Sequence, residues 1–166
     1  MREILFRGKT YEEGLWIEGS LIIDERGNYY IGKYIEAKGE RSYYCTMRRN
    51  GKTINRFIGI GFAFVIPETV GQFTGLYDKN GKKIFEGDIL KGEQYPFKDD
   101  DGDYNYFAQV TWFDNSPAFG IYTFKNPQSN VRGISTGNTA YIEDFSSEDF
   151  EVIGNVYDNP ELLEEI

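Results

Sequence analysis

Residues 74–90, TGLYDKNGKKIFEGDIL, bring Asp78, Asn80, Gly81, Glu86 and Asp88 close together, with Lys79, Lys82 and Lys83 among them. Carboxylates and an amide at this density suit either a cation loop or a tight turn between strands. A calcium loop of the helix-loop-helix kind needs oxygen ligands at its first, third and fifth positions, glycine at the sixth and glutamate at the twelfth. Counted from Asp78, Asn80 fits the third position, but Lys82, Lys83 and Ile89 occupy the fifth, sixth and twelfth. Ammonium groups there would compete with a cation for the same oxygens. The stretch reads as a hairpin turn.

A second acidic cluster, KDDDGDYNYF, holds Asp99, Asp100, Asp101 and Asp103. Asp99, Asp101 and Asp103 have ligand spacing, but Tyr104 stands where glycine is required and Val110 where glutamate is required. It reads as a solvated acidic loop that would repel phosphate, and whether loop 99–103 also holds a cation weakly is left open. The chain has no histidine, which excludes Ser-His and Cys-His catalysis and histidine-ligated metals. Its one cysteine, Cys45, can form neither a structural zinc site nor an internal disulfide. In the strand-like run SYYCTM it reads as a small buried apolar residue. A carboxylate pair could still hydrolyse a glycoside, with aromatic rings stacking the sugar. No motif nominates such a pair among 27 acidic residues. The sequence therefore predicts no catalytic residue, no metal and no cofactor, and keeps a carboxylate-based hydrolase as an alternative.

The remaining chemistry is cationic. Arg41, Tyr43, Tyr44, Arg48, Arg49, Lys52 and Arg56 cluster about Asn50-Gly51. On a hairpin they would make a basic, aromatic finger suited to nucleic acid or to an acidic protein surface. The plainer reading is a strand pair whose charges discourage edge-to-edge pairing. The net charge of −9 opposes nucleic acid. It is also unevenly distributed: residues 1–66 hold 11 Lys/Arg against 8 Asp/Glu, and residues 67–166 hold 7 against 19. An acidic protein partner, including the C-terminal part of this same chain, fits the finger better. Nucleic acid is the alternative.

Short strands must position these residues. Aromatic residues make up 17% of the chain, alongside 19 glycines, a composition that favours strands joined by tight turns. Asp24–Asn28, Arg49–Lys52 and Asp78–Lys82 each place a glycine where a hairpin needs positive φ, with β-prone runs on both sides. TINRFIGIGFAFVI reads as strand, with Gly59 and Gly61 marking a bulge or a close crossing rather than a phosphate loop. PETVGQ reads as a junction. Beyond it, KIFEGDILKG, FAQVTWF, AFGIYTF, NTAYIE and FEVIGNVYD supply five β-prone runs, the number of a small barrel. Asn159 reads as an N-cap with Pro160 at the first helical position.

The sequence thus predicts a mainly β fold, all-β to α+β. It divides into an N-terminal antiparallel, hairpin-rich region (1–72), an SH3-like small β-barrel (73–158) and a short C-terminal helix (159–166). No run approaches the ~20 apolar residues of a membrane span. MREILFRGK lacks a signal peptide's apolar core. With a single cysteine, a reducing cytoplasm is the expected location.

MREILFRGK, QFTGLYDKNGKKIFEGDIL and FEVIGNVYDNPELL together resemble the YopX family, encoded mainly by bacteriophages and prophages. VIPETVG is similar to its longer members as well. The resemblance frames nearly the whole chain, with residues 33–58 and 95–140 as its variable segments. It implies a mainly β fold with a barrel-like C-terminal part, in a small phage product that self-associates into an assembly such as a ring. It implies no activity and transfers no catalytic or binding residue. The resulting expectation is a non-enzymatic, self-assembling interaction module that binds a host or phage protein.

Overall fold

The computed structural model describes residues 3–35, 44–49, 52–57, 59–93, 105–115, 117–125, 139–142 and 150–164. The chain divides into two compact units, Leu5–Val70 and Gly71–Ile166, the second joined by Met1–Ile4. Each is built almost wholly of antiparallel strands, so the fold is mainly β.

The N-terminal unit contains β1 (Phe6–Lys9), β2 (Trp16–Ile23), β3 (Tyr29–Ile35), β4 (Tyr44–Arg49), β5 (Lys52–Phe57) and β6 (Gly59–Phe64). β1 pairs with β2, β2 with β3, and β3 with β6. Ile31 and Val65 are fully buried here. The Asp24–Asn28 turn joins β2 to β3, and Asp24 sets its geometry. One carboxylate oxygen accepts from the N–H groups of Arg26 and Asn28, both at 2.9 Å. Gly27 sits at φ 80°, as the turn requires. A 3₁₀ turn over Pro67–Thr69 closes the unit, and the buried Thr69 hydroxyl accepts from the Lys9 N–H at 2.9 Å.

Two expectations change here. The run TINRFIGIGFAFVI is two strands with different partners, because β5 pairs with β4 whereas β6 pairs with β3. Of the bulge or close crossing expected at Gly59 and Gly61, the bulge is absent from the β3–β6 pair: Gly59 stands opposite Ile35 and Gly61 opposite Lys33 in unbroken register.

The C-terminal unit opens with the hairpin β7 (Gly71–Tyr77) and β8 (Lys83–Phe85). β9 (Asp88–Glu93), β10 (Asn105–Phe113), β11 (Ala118–Lys125), β12 (Thr139–Tyr141) and β13 (Phe150–Asn155) follow, and then α1 (Glu161–Glu164). They form a five-stranded antiparallel sheet in the order β12-β11-β10-β9-β13. All five β-prone runs contribute a strand to it. KIFEGDIL is broken at Glu86-Gly87, leaving its second half to start β9 at Asp88.

Alternation along β10 and β11 decides where the core lies. Ala108, Val110, Phe119 and Ile121 point to one face, where they are buried with Ile84, Leu90, Tyr106, Ile142, Phe150 and Val152. Each large apolar side chain buried there contributes about 2 kcal/mol. The helix start differs from the expected cap. Asn159 Oδ1 turns back to accept from the Asn155 N–H at 3.4 Å, while Asn155 Oδ1 accepts from Tyr157 and Asp158. An Asn-led turn has taken the side chain that would have capped the helix.

Candidate functional site

The crowded polar stretch turns out to be structural. Asp78 is buried, and one of its oxygens accepts from the N–H groups of Asn80 and Lys82, each at 2.8 Å. The other accepts from the Val152 N–H on β13 at 3.0 Å. Lys79 adds to the same seam, donating its N–H to the Phe150 carbonyl at 2.9 Å and pairing its ammonium with Glu151 at 2.8 Å. Burial works against ionisation of Asp78, but the donors from Val152, Lys82 and Asn80 outweigh it and hold the carboxyl below its ordinary value of 3.8. Asp88, also buried, accepts from the Phe85 N–H at 2.7 Å and fixes the turn into β9. These carboxylates shape backbone.

Glu86 behaves differently. It is half-buried, and desolvation raises its pKa, opposed by backbone hydrogen bonds from Gln72 and Trp112 and assisted by the nearby Asp114 charge. This is the pattern expected of a carboxyl that keeps its proton longer than usual. Among the described residues, no group of three or more His, Cys, Asp or Glu could hold a metal ion.

Of the basic finger, Tyr44, Arg48 and Arg49 fall on β4, and Lys52 and Arg56 on β5. Arg41 and Tyr43 lie outside the described residues, as do Asn50-Gly51 and the acidic loop 99–103. The register sets Arg49 opposite Lys52, Arg48 opposite Thr53 and Arg56 opposite Cys45. β4 and β5 pair with each other as a two-stranded sheet of their own. The backbone thus gathers five of the seven residues on one hairpin.

The side of the five-stranded sheet opposite its core was not anticipated. Phe107, Gln109, Thr111 and Phe113 alternate outward on β10, and the register places Tyr122 opposite Gln109 and Tyr141 opposite Gly120. Phe107 meets Phe124 with ring centres 6.4 Å apart, and Phe113 meets Tyr141 edge-on at 5.9 Å. Tyr122 and Tyr141 remain 43% and 39% exposed. The outer face of an antiparallel sheet is ordinarily polar; this one carries five rings. The signal was present in the sequence as aromatic residues at adjacent positions, Tyr106-Phe107 and Trp112-Phe113, which alternation must send to opposite faces. The N-terminal unit has an apolar surface too, where Tyr11 stacks on Phe64 at 4.6 Å beside exposed Phe62.

Two compact units of antiparallel strands, one holding the β4–β5 hairpin and the other the sheet with an aromatic outer face, define a mainly β protein. The YopX protein family matches residues 5–164, and the chain belongs to that family. In three dimensions it is similar to the crystal structure of protein EF1440 from Enterococcus faecalis, at 20% identity and a TM-score of 0.50 over 98% of this chain and 99% of that one. That likeness concerns the fold. A comparison with curated proteins finds no match. No helix among the described residues is long and apolar enough to cross a membrane.

Proposed function

We propose that this YopX-family chain is a non-enzymatic phage or prophage protein of the bacterial cytoplasm, which self-assembles and binds a host or phage protein. We read its five-stranded sheet as the SH3-like barrel part. The observation that supports the functional reading best is the β4–β5 hairpin, a separate two-stranded sheet carrying Arg48, Arg49, Lys52 and Arg56. A lone two-stranded hairpin is marginal in water and gains most from a surface to lie on. Residues 67–166, with 19 acidic against 7 basic side chains, offer a complementary charge on a second copy. Such a contact joins unlike surfaces, so it closes into a ring or extends as a filament.

The same hairpin supports nucleic-acid binding as a second reading. Among the described residues, the half-buried Glu86, with its raised pKa, is the carboxyl that would serve a carboxylate-based hydrolase. A tagged pull-down from bacterial lysate, split into nuclease-treated and untreated halves, separates the first two. A single protein retained in both halves is the expected result. Retention that disappears with nuclease would overturn the adaptor reading in favour of nucleic acid.

A further inference from the structure

We propose that the outer face of β10, β11 and β12 is the docking surface for the β4–β5 hairpin of a second copy of this chain. The proposal rests on the self-assembly reading and names the surface that reading leaves unspecified. Phe107, Phe113, Tyr122, Phe124 and Tyr141 line this face on the side of the sheet away from the core. The face carries charge at its ends. Asp114 follows Phe113 and is exposed at one end, while Lys91 stands in register with Phe107 at the other. An aromatic surface with an exposed carboxylate, Asp114, at one end is the chemistry that receives arginine, whose planar guanidinium stacks on a ring while its N–H groups reach a carboxylate.

The β4–β5 hairpin supplies the complement. Residues 41–58 contain Arg41, Arg48, Arg49, Lys52 and Arg56 and not one Asp or Glu. Aromatic residues and arginine are the side chains enriched at the centres of protein interfaces. The contact joins the cationic hairpin of one copy to the Phe113–Tyr141 end of the next, each chain offering both halves.

The test uses full-length chains in sedimentation velocity at low salt. The face variant is Tyr122→Ser with Tyr141→Ser, and the hairpin variant is Arg48→Glu, Arg49→Glu and Lys52→Glu. Each alone is expected to self-associate about tenfold more weakly, or worse, as loss of central aromatic or arginine contacts does elsewhere. Mixed in equal amounts, they should form a heterodimer and stop there, because one retains an intact hairpin and the other an intact face. Asp114→Lys, a change at an exposed position, should weaken assembly by a smaller factor while unfolding at the wild-type midpoint, which guards against misfolding of the double variant. A face variant that assembles like wild type would overturn the surface while leaving self-assembly standing. A mixture without heterodimer would overturn the pairing of hairpin with face. A wild-type chain that stays monomeric would overturn both.

Discussion

In the β7–β8 hairpin the residue that opens the turn is Asp78, and its carboxylate holds two turn N–H groups and reaches Val152 on β13. In the β4–β5 hairpin the turn is opened by Arg49, set opposite Lys52, and the two strands pair with each other. Both turns follow the same sequence rule, with β-prone runs on either side of Asn-Gly. One is tied into the sheet of its unit by an acid. The other carries cations instead. The Asp24–Asn28 turn stands between them: its carboxylate makes the same two backbone bonds, and its remaining contacts, Asn28 Nδ2 at 2.8 Å and the Tyr30 hydroxyl at 3.2 Å, stay within six residues.

The largest expected effect belongs to the tied hairpin. Asp78→Ala leaves the buried Val152 N–H without its acceptor and should destabilise the C-terminal unit by about 3 kcal/mol in urea unfolding. Arg49→Ala should change stability by less than about 0.5 kcal/mol. Equal losses at the two positions would erase the distinction between the hairpins.

Acid sharpens the same contrast. The folded pKa of Asp78 is depressed, so its contribution is fully present above the ordinary value of 3.8 and is lost as pH falls through the lower folded value. The stability gap between wild type and Asp78→Ala should therefore be constant near neutral pH and shrink below pH 3.8. A gap that widened on acidification would contradict the geometry of its three backbone bonds.

Glycine provides an internal control. Gly27 and Gly81 have φ of 80° and 78°, and a Cβ at either would meet nothing within 4 Å. Alanine should cost about 1 kcal/mol at each, from the left-handed backbone alone. The two turns should thus respond alike at glycine and unlike at aspartate. Asp24→Ala should produce a smaller melting shift than Asp78→Ala, because that carboxylate's partners are local.

These contrasts also mark what the sequence could convey. The Asp24–Asn28 and Asp78–Lys82 turns, the strand after Gly87-Asp88 and the five C-terminal β-runs were all legible, because turn chemistry and alternation are local. Val152 as the partner of Asp78 was not, since 74 residues separate them and no local rule links them. The break between β5 and β6 was hidden for a related reason: TINRFIGIGFAFVI is β-prone throughout, and only strand pairing reveals that its halves serve different sheets. The cationic residues of the finger could be found by composition. The aromatic outer face was legible only in part: adjacent rings at Tyr106-Phe107 and Trp112-Phe113 must divide between the two faces, but which of each pair points outward depends on a register that only the folded sheet defines.

The most direct test of the central claim is sedimentation velocity of the wild-type chain at about 0.05 M and about 0.5 M salt, where the screening length shortens roughly threefold. The account predicts an assembly larger than a monomer at low salt that dissociates at high salt, and a monomer at both for the Arg48→Glu, Arg49→Glu, Lys52→Glu variant. A wild-type chain that is monomeric at both salt concentrations, or an oligomer indifferent to salt and to these substitutions, would contradict it.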